Sequence, residues 1–271
     1  RERLVGGLPE AVQARVLALE ELDAEFLALE ARFREERREL QRRYEALYAP
    51  LFARRAALVA GAAAALPAAA DAPRCGVPGF WLGAMKASAA LSANVCRHDE
   101  AALRSLLDVS CATLPGPEGH GFRLSFAFAP NEFFTNAVLT KTYVVSGGDT
   151  APVLESAAGT AVDWRPGRDL TRRCSAGPGP DGRPGPAAPR PSFFHLFRSP
   201  RPPARGAARE ELQRAAEEAE AHYEMGLCFR EKLVPRAVRW FTGEAEDEEE
   251  YEPCEAPAEG REAEAEAEVE G

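Results

Sequence analysis

Residues 8–58 read LPEAVQARVLALEELDAEFLALEARFREERRELQRRYEALYAPLFARRAAL. No glycine interrupts this stretch, and Pro9 suits a first helical turn because its missing N–H would be unpaired there. Apolar residues recur at every seventh position: Val12, Leu19, Phe26, Phe33, Leu40 and Leu47. This spacing predicts one long amphipathic helix with an apolar stripe along one face.

A second apolar row widens the stripe, at Val16, Leu22, Leu29, Tyr44, Leu51 and Leu58. Strict heptads would place Asp23, Glu30 and Arg37 in that row, so the pattern is looser than a regular coiled coil. The helix would be about 75 Å long, whereas a compact chain of this length has a radius of gyration near ~18 Å. We therefore expect a second copy to cover the stripe in a symmetric homodimer, with the helices parallel or antiparallel.

Charge is distributed unevenly along the chain. Residues 244–271 hold fourteen Asp and Glu against one Arg, while the whole chain has a net charge of −10, so the other 243 residues carry +3. Conversely, ten Arg against two Asp lie between Arg165 and Arg209. A polyanionic tail of this kind typically engages basic protein partners rather than nucleic acid.

The residue types needed for catalysis or metal binding are scattered. Six cysteines occur without a C-x-x-C pair, which favours reduced thiols in an intracellular compartment and neither disulfides nor structural zinc. The four histidines are dispersed, and no glycine-rich stretch fits a phosphate loop. We expect no catalytic residues, no cofactor and no metal, and hence no enzyme.

The run His98-Asp99-Glu100 favours a turn between helices, with Asp99 as an N-cap, over a metal or catalytic role. The preceding Cys96-Arg97-His98 has no second metal-ligand pair in the sequence. No apolar run approaches the roughly 18 residues of a membrane span, so we expect a soluble protein without a membrane partner.

Residues 80–243 predict an α+β domain in which helices cover one face of a small antiparallel sheet. Two short helices are expected between Trp81 and Leu107, and another from Ala207 that Pro235 ends or kinks. Period-two alternation or apolar runs predict strands at Val109–Leu114, Phe122–Phe128, Val138–Val145 and Thr160–Trp164. Residues 165–203 are rich in Pro, Gly and Arg and should be poorly ordered, with only Ser192–Phe197 able to bury much.

The alternating aromatic strand allows two interpretations. Phe122, Leu124, Phe126 and Phe128 share one face, and such a face can stack on bases, as in single-strand binders. Arg123 is the only interleaved basic residue, so the pattern favours core packing. Val238, Trp240 and Phe241 are also expected to return to this core.

Nine short motifs together resemble the nucleosome assembly protein 1-like family of histone chaperones. They occur in order over roughly residues 8–250: Leu8-Pro9-Glu10, Tyr44–Phe52, Phe80-Trp81-Leu82, His98-Asp99-Glu100, Pro130–Asn136, Leu139–Tyr143, Asp163-Trp164, Ser192–Phe194, and Pro235-Arg236 with Phe241–Ala245.

The resemblance implies a long antiparallel dimerisation helix joined to an α+β domain with a four-stranded antiparallel sheet. It also implies an acidic concave surface for core histones and a disordered acidic C-terminal tail. We place the dimerisation helix at 8–60, a flexible linker at 61–79, the α+β domain at 80–243 and the tail at 244–271. We also expect the protein to act in the nucleus and cytoplasm, without direct sequence-specific nucleic-acid binding.

Two departures shift the expected histone site toward the tail. The linker is acidic in the family but holds only Asp71 here. The family has a basic hairpin after the position of Trp164, whereas here the sequence through Pro191 shows no strand alternation. We therefore assign histone binding chiefly to the residues nearest the folded domain: Glu244, Glu246, Asp247, Glu248, Glu249, Glu250 and Glu252.

Two other functions remain open from the sequence. One is a divergent paralogue that mainly forms heterodimers with related chaperones and acts as a scaffold with weak histone binding. The other is a coiled-coil adaptor unrelated to histones, which leaves the α+β domain unexplained.

Overall fold

The first element is one continuous helix, α1, which spans Glu10–Val59 and confirms the predicted long helix. The computed structural model describes residues 9–62, 76–114, 120–146, 153–173, 188–199 and 208–245. Pro9 occupies the N-cap position with extended backbone angles. The helix continues through Pro50, whose ring removes one backbone hydrogen bond without ending the element.

Three short helices follow, rather than the two predicted: α2 (Phe80–Ala87), α3 (Ala89–Ser92) and α4 (Glu100–Leu103). The difference arises at Ser88, whose extended backbone (φ −86°, ψ 123°) separates α2 from α3. Helical periodicity continues across that residue, so the sequence pattern alone does not reveal the break.

The sheet has four antiparallel strands in the order β1-β2-β3-β4. Their bounds are Leu106–Leu114 for β1, His120–Phe128 for β2, Val138–Ser146 for β3 and Val153–Gly159 for β4.

Phe126 pairs with Val109 on one side and Leu139 on the other. Phe122, Leu124, Phe126 and Phe128 are all buried, which confirms core packing.

The predicted strand at Thr160–Trp164 is wrong, because the fourth strand precedes it. Val153–Gly159 is an edge strand of mostly small residues, and its sequence carries little apolar alternation. Trp164 instead makes an isolated antiparallel bridge with Phe134.

A short strand pair occurs where no strands are predicted. β5 (Arg172–Arg173) pairs antiparallel with β6 (Ala188–Pro189). Residues 174–187 lie outside the described part of the chain. Arg190 supports the pair, because its backbone N–H donates to Thr171 O (3.0 Å) and its Nε donates to Leu170 O (2.8 Å).

The aromatic segment after β6 confirms the expectation that it is buried. Phe193–Phe197 forms a 3₁₀ helix, and Phe193, Phe194, Leu196 and Phe197 lie in the core. The rings of Phe126 and Phe197 pack edge to face, with their centroids 5.1 Å apart. This segment therefore covers the inner face of the sheet, although it lies within the Pro/Gly/Arg-rich region.

The C-terminal helical layer consists of α5 (Arg209–Leu227), a π-helical turn (Cys228–Leu233) and α6 (Val234–Thr242). A Cβ on Gly226 would lie 2.5 Å from Tyr143 Cε2, so a glycine lets α5 approach β3 closely. The backbone departs from helical angles at Arg236, directly after Pro235.

Of the three apolar residues of α6 that are expected in the core, one is buried. Trp240 is buried, whereas Val238 and Phe241 remain 53% and 41% exposed. In α6 these residues cannot all face inward, because helical spacing sends neighbouring side chains in different directions.

Candidate interaction surfaces

The apolar stripe predicted for α1 is present and open in the single chain. Its six heptad residues lie on one helix, and their exposure ranges from 39% for Val12 to 63% for Leu19. Leu22, Leu29 and Leu51, from the second row, exceed 60% exposure as well. A run of large apolar side chains this long is typical of an interaction surface.

The C-terminal end of α1 is fixed to the α+β domain. Arg55 Nη1 donates to Val234 O at 2.5 Å, and its guanidinium lies over the rings of Phe52 (4.6 Å) and Trp81 (4.9 Å). Burial lowers the pKa of Arg55, while Asp108 acts in the opposite direction. Because a planar guanidinium makes these contacts together, Arg55 holds α1 in a set direction relative to the domain.

Only the start of the predicted histone-binding segment lies within the described chain. Glu244 is exposed, and its backbone N–H donates to Arg239 O at 2.9 Å. It follows Gly243, whose left-handed backbone (φ +76°) ends α6. The other predicted residues, Glu246, Asp247, Glu248, Glu249, Glu250 and Glu252, lie outside the described residues.

A further acidic surface lies on α5, and sequence analysis did not assign a role to it. The helix holds six glutamates and two arginines, and all six glutamates are exposed: Glu210, Glu211, Glu217, Glu218, Glu220 and Glu224. The acidic run was visible in the sequence as a very polar stretch. A charge count over windows shorter than the whole body would have found it, because the basic segment before it hides it in the net total.

Beneath α5 lies a lysine that the sequence places on an ordinary strand. Lys141 is fully buried on β3, and its Nζ donates to Arg198 O at 2.7 Å. Burial lowers the pKa of Lys141 to about 8, although Glu218 acts to raise it. Tyr143, two residues along the strand, donates its hydroxyl to His222 O. These contacts tie β3 to α5 and to the segment after the 3₁₀ helix.

The predicted turn at His98-Asp99-Glu100 is present, but Asp99 does not cap α4 with its side chain. Its backbone is right-handed helical, whereas a capping residue is usually extended. The buried carboxylate instead accepts from Cys96 N (3.2 Å), Ser192 Oγ (2.7 Å) and Phe193 N (2.8 Å). Asp99 thus joins the turn before α4 to the 3₁₀ helix, 93 residues further along.

Within the described residues, no helix is both long and apolar enough to cross a membrane. The described residues form an α+β domain at one end of a long, charged amphipathic helix whose apolar stripe is exposed in the single chain.

This architecture and its sequence match proteins of one family. A profile described as "Nucleosome assembly protein (NAP)" matches residues 14–244. Nucleosome assembly protein 1;3 of Nicotiana tabacum is 37% identical over 264 residues, covering 89% of this chain and 68% of the relative. Nucleosome assembly protein 1;1 of Arabidopsis thaliana is 36% identical over 276 residues, covering 93% and 72%.

The solved structure of Nucleosome Assembly Protein 1 from Plasmodium knowlesi is similar, with a TM-score of 0.68 and 30% identity. The match covers 87% of this chain and 98% of that one. The chain belongs to the nucleosome assembly protein family. This membership agrees with the prediction that the protein is not an enzyme, because the family consists of histone chaperones.

Proposed function

We propose that the protein is a homodimeric histone chaperone that binds core histones through acidic residues and supports nucleosome assembly and disassembly. The observation that carries the dimer is the open apolar stripe on α1, from Val12 to Leu47. A second copy of α1 offers the same stripe, and a symmetric pair buries both at once. Family membership supports the histone partner.

Histone binding is assigned to two acidic segments. The first is the tail, with Glu244, Glu246, Asp247, Glu248, Glu249, Glu250 and Glu252 as its principal residues. The second is the exposed glutamate surface of α5. Both lie in the C-terminal part of the chain, whereas the remainder of the body is weakly basic.

The mechanism is electrostatic. Carboxylates occupy the basic surface of a histone and prevent premature contacts with DNA. DNA carries a much denser line of charge, so its phosphates displace the chaperone when a productive nucleosome contact forms. Such exchange requires binding that is strong at long range but made of many weak, separable contacts. The protein would perform this exchange in the nucleus and cytoplasm.

The experiment compares binding of core histones with binding of lysozyme, a basic protein of no relation to chromatin, at about physiological salt. A chaperone retains histones and not lysozyme, and sediments as a dimer. A scaffold would dimerise with related chaperones while retaining little histone. Equal retention of lysozyme and histones would show mere charge attraction and contradict the proposal.

A further inference from the structure

Three potential metal ligands meet at the turn before α4. Cys96 Sγ, a ring nitrogen of His98 and a carboxylate oxygen of Asp99 all lie within 4.8 Å of one another. His98 Nε2 lies 3.5 Å from Asp99 Oδ1. Thiolate, imidazole and carboxylate form a mixed donor set that suits zinc rather than magnesium or calcium.

The separations are close to those of a metal site. In tetrahedral zinc coordination, bond lengths of about 2.0–2.3 Å put two ligand atoms about 3.3–3.7 Å apart. The His98–Asp99 distance already has this value. The sulfur of Cys96 requires a shift of about 1 Å at most, which side-chain rotation provides.

The bonding of these side chains leaves room for an ion. Asp99 Oδ2 accepts the two backbone N–H groups, while Oδ1 accepts the Ser192 hydroxyl and keeps a lone pair for another partner. Among the described residues His98 Nε2 is buried and makes no hydrogen bond, although Asp99 Oδ1 lies 3.5 Å away. A buried nitrogen without a hydrogen bond is costly, and a metal ion between the two groups would satisfy it.

We propose that Cys96, His98 and Asp99 bind one Zn²⁺ ion, with water at the fourth position. The sequence predicts no metal, because Cys96-Arg97-His98 lacks a second ligand pair. The third ligand is Asp99, which the sequence analysis assigns to helix capping. Since Asp99 also holds Ser192 and Phe193, the ion would stabilise the junction between the α4 turn and the 3₁₀ helix.

The test uses the reduced full chain with Cys75, Cys174 and Cys254 changed to Ser, so that thiols outside the described residues do not contribute. Cobalt(II) is titrated first, because a thiolate ligand gives a charge-transfer band and tetrahedral coordination gives visible bands. Zinc is then added in competition. Cys96→Ser and His98→Gln are compared with Cys111→Ser, which removes a half-buried thiol on β1.

The proposal expects one ion per chain, cobalt bands that zinc abolishes, and binding at least about tenfold weaker in both site variants. Cys111→Ser should bind like the parent. Circular dichroism of the metal-free variants checks that they fold. Absence of a thiolate band in the parent, or equal affinity in folded His98→Gln and parent, would overturn the proposal.

Discussion

At the scale of single residues, Lys141 is a charged side chain buried in the core on β3. Its side chain is fully buried, and burial lowers its pKa to about 8. In the unfolded chain the pKa of this lysine is about 10.4. Between these values the unfolded state binds more protons than the folded state, so raising the pH should stabilise the fold.

We predict that the free energy of unfolding of the wild type rises, relative to Lys141→Met, between about pH 7.5 and 9.5. Methionine retains a flexible chain of similar length without the charge. Urea unfolding of both proteins, at equal protein concentration, measures the difference and cancels other titrating groups. A difference that is constant over this range would mean that Lys141 titrates normally in the folded protein.

The sequence predicts residue types better than it predicts their partners. Asp99 is correctly placed in a turn, but its contacts with Ser192 and Phe193 depend on chain segments far apart. Strand alternation puts Lys141 on the same face as Leu139 and Tyr143, but its charge argues against burial, and the contact of its Nζ with Arg198 O comes from a segment far along the chain. Such long-range contacts leave no local pattern.

At the scale of elements, α1 makes the most direct prediction. Phe33 and Leu40 lie in the middle of the apolar stripe and are 61% and 47% exposed in the single chain. Changing both to Asp would place charges in the dimer contact, where burial without partners costs several kcal/mol, about 3 or more. We expect sedimentation to show monomer or aggregate.

Ala24 and Ala31 provide a matched control on α1. They are exposed, also seven residues apart, and lie on the face opposite the stripe. Changing both to Asp adds the same charge to the same helix and should leave the dimer intact. Dimerisation of the Phe33/Leu40 variant with wild-type affinity would remove the proposed role of the stripe.

The acidic face of α5 predicts a moderate contribution to histone binding. We expect a variant with Glu210, Glu211, Glu217 and Glu220 changed to Gln to bind core histones about fivefold more weakly, or ~1 kcal/mol. Glutamine has similar helix propensity, so α5 should remain folded. Titration calorimetry or fluorescence anisotropy with labelled histones measures the change.

Glu10, Glu21, Glu25 and Glu39 of α1 provide a control of equal charge, because all four are exposed and none belongs to either apolar row. Their change to Gln should leave histone affinity nearly unaltered. If both variants lose the same affinity, net charge matters and the α5 surface has no special role.

The elements were predictable where periodicity was strong. The helix α1 and strands β1 to β3 follow from apolar spacing in sequence. Edge strand β4 was missed because Ala, Ser and Gly give a weak pattern, and β5 and β6 because two residues are too short to show one. The sequence predicts the helix that holds the α5 glutamates, but charge alone does not indicate a partner.

At the scale of the whole molecule, charge separation is the dominant feature. A body of net +3 carries residues 244–271 with a net −13, and Glu244 places the start of that segment at the end of α6. Long-range attraction for histones should therefore come mainly from this segment. It should fall with salt, as the Debye length shortens from about 10 Å at 0.1 M to 3 Å at 1 M.

The most direct measurement is the dissociation constant for core histones, over a range of salt, of three chains: full length, ending at Glu255, and ending at Gly243. We predict that the chain ending at Glu255 keeps most of the affinity. The chain ending at Gly243 should bind at least about tenfold more weakly, or ~1.4 kcal/mol, with a flatter salt dependence. If the chain ending at Gly243 binds histones as tightly as the full chain, the assignment of histone binding to the acidic tail is contradicted.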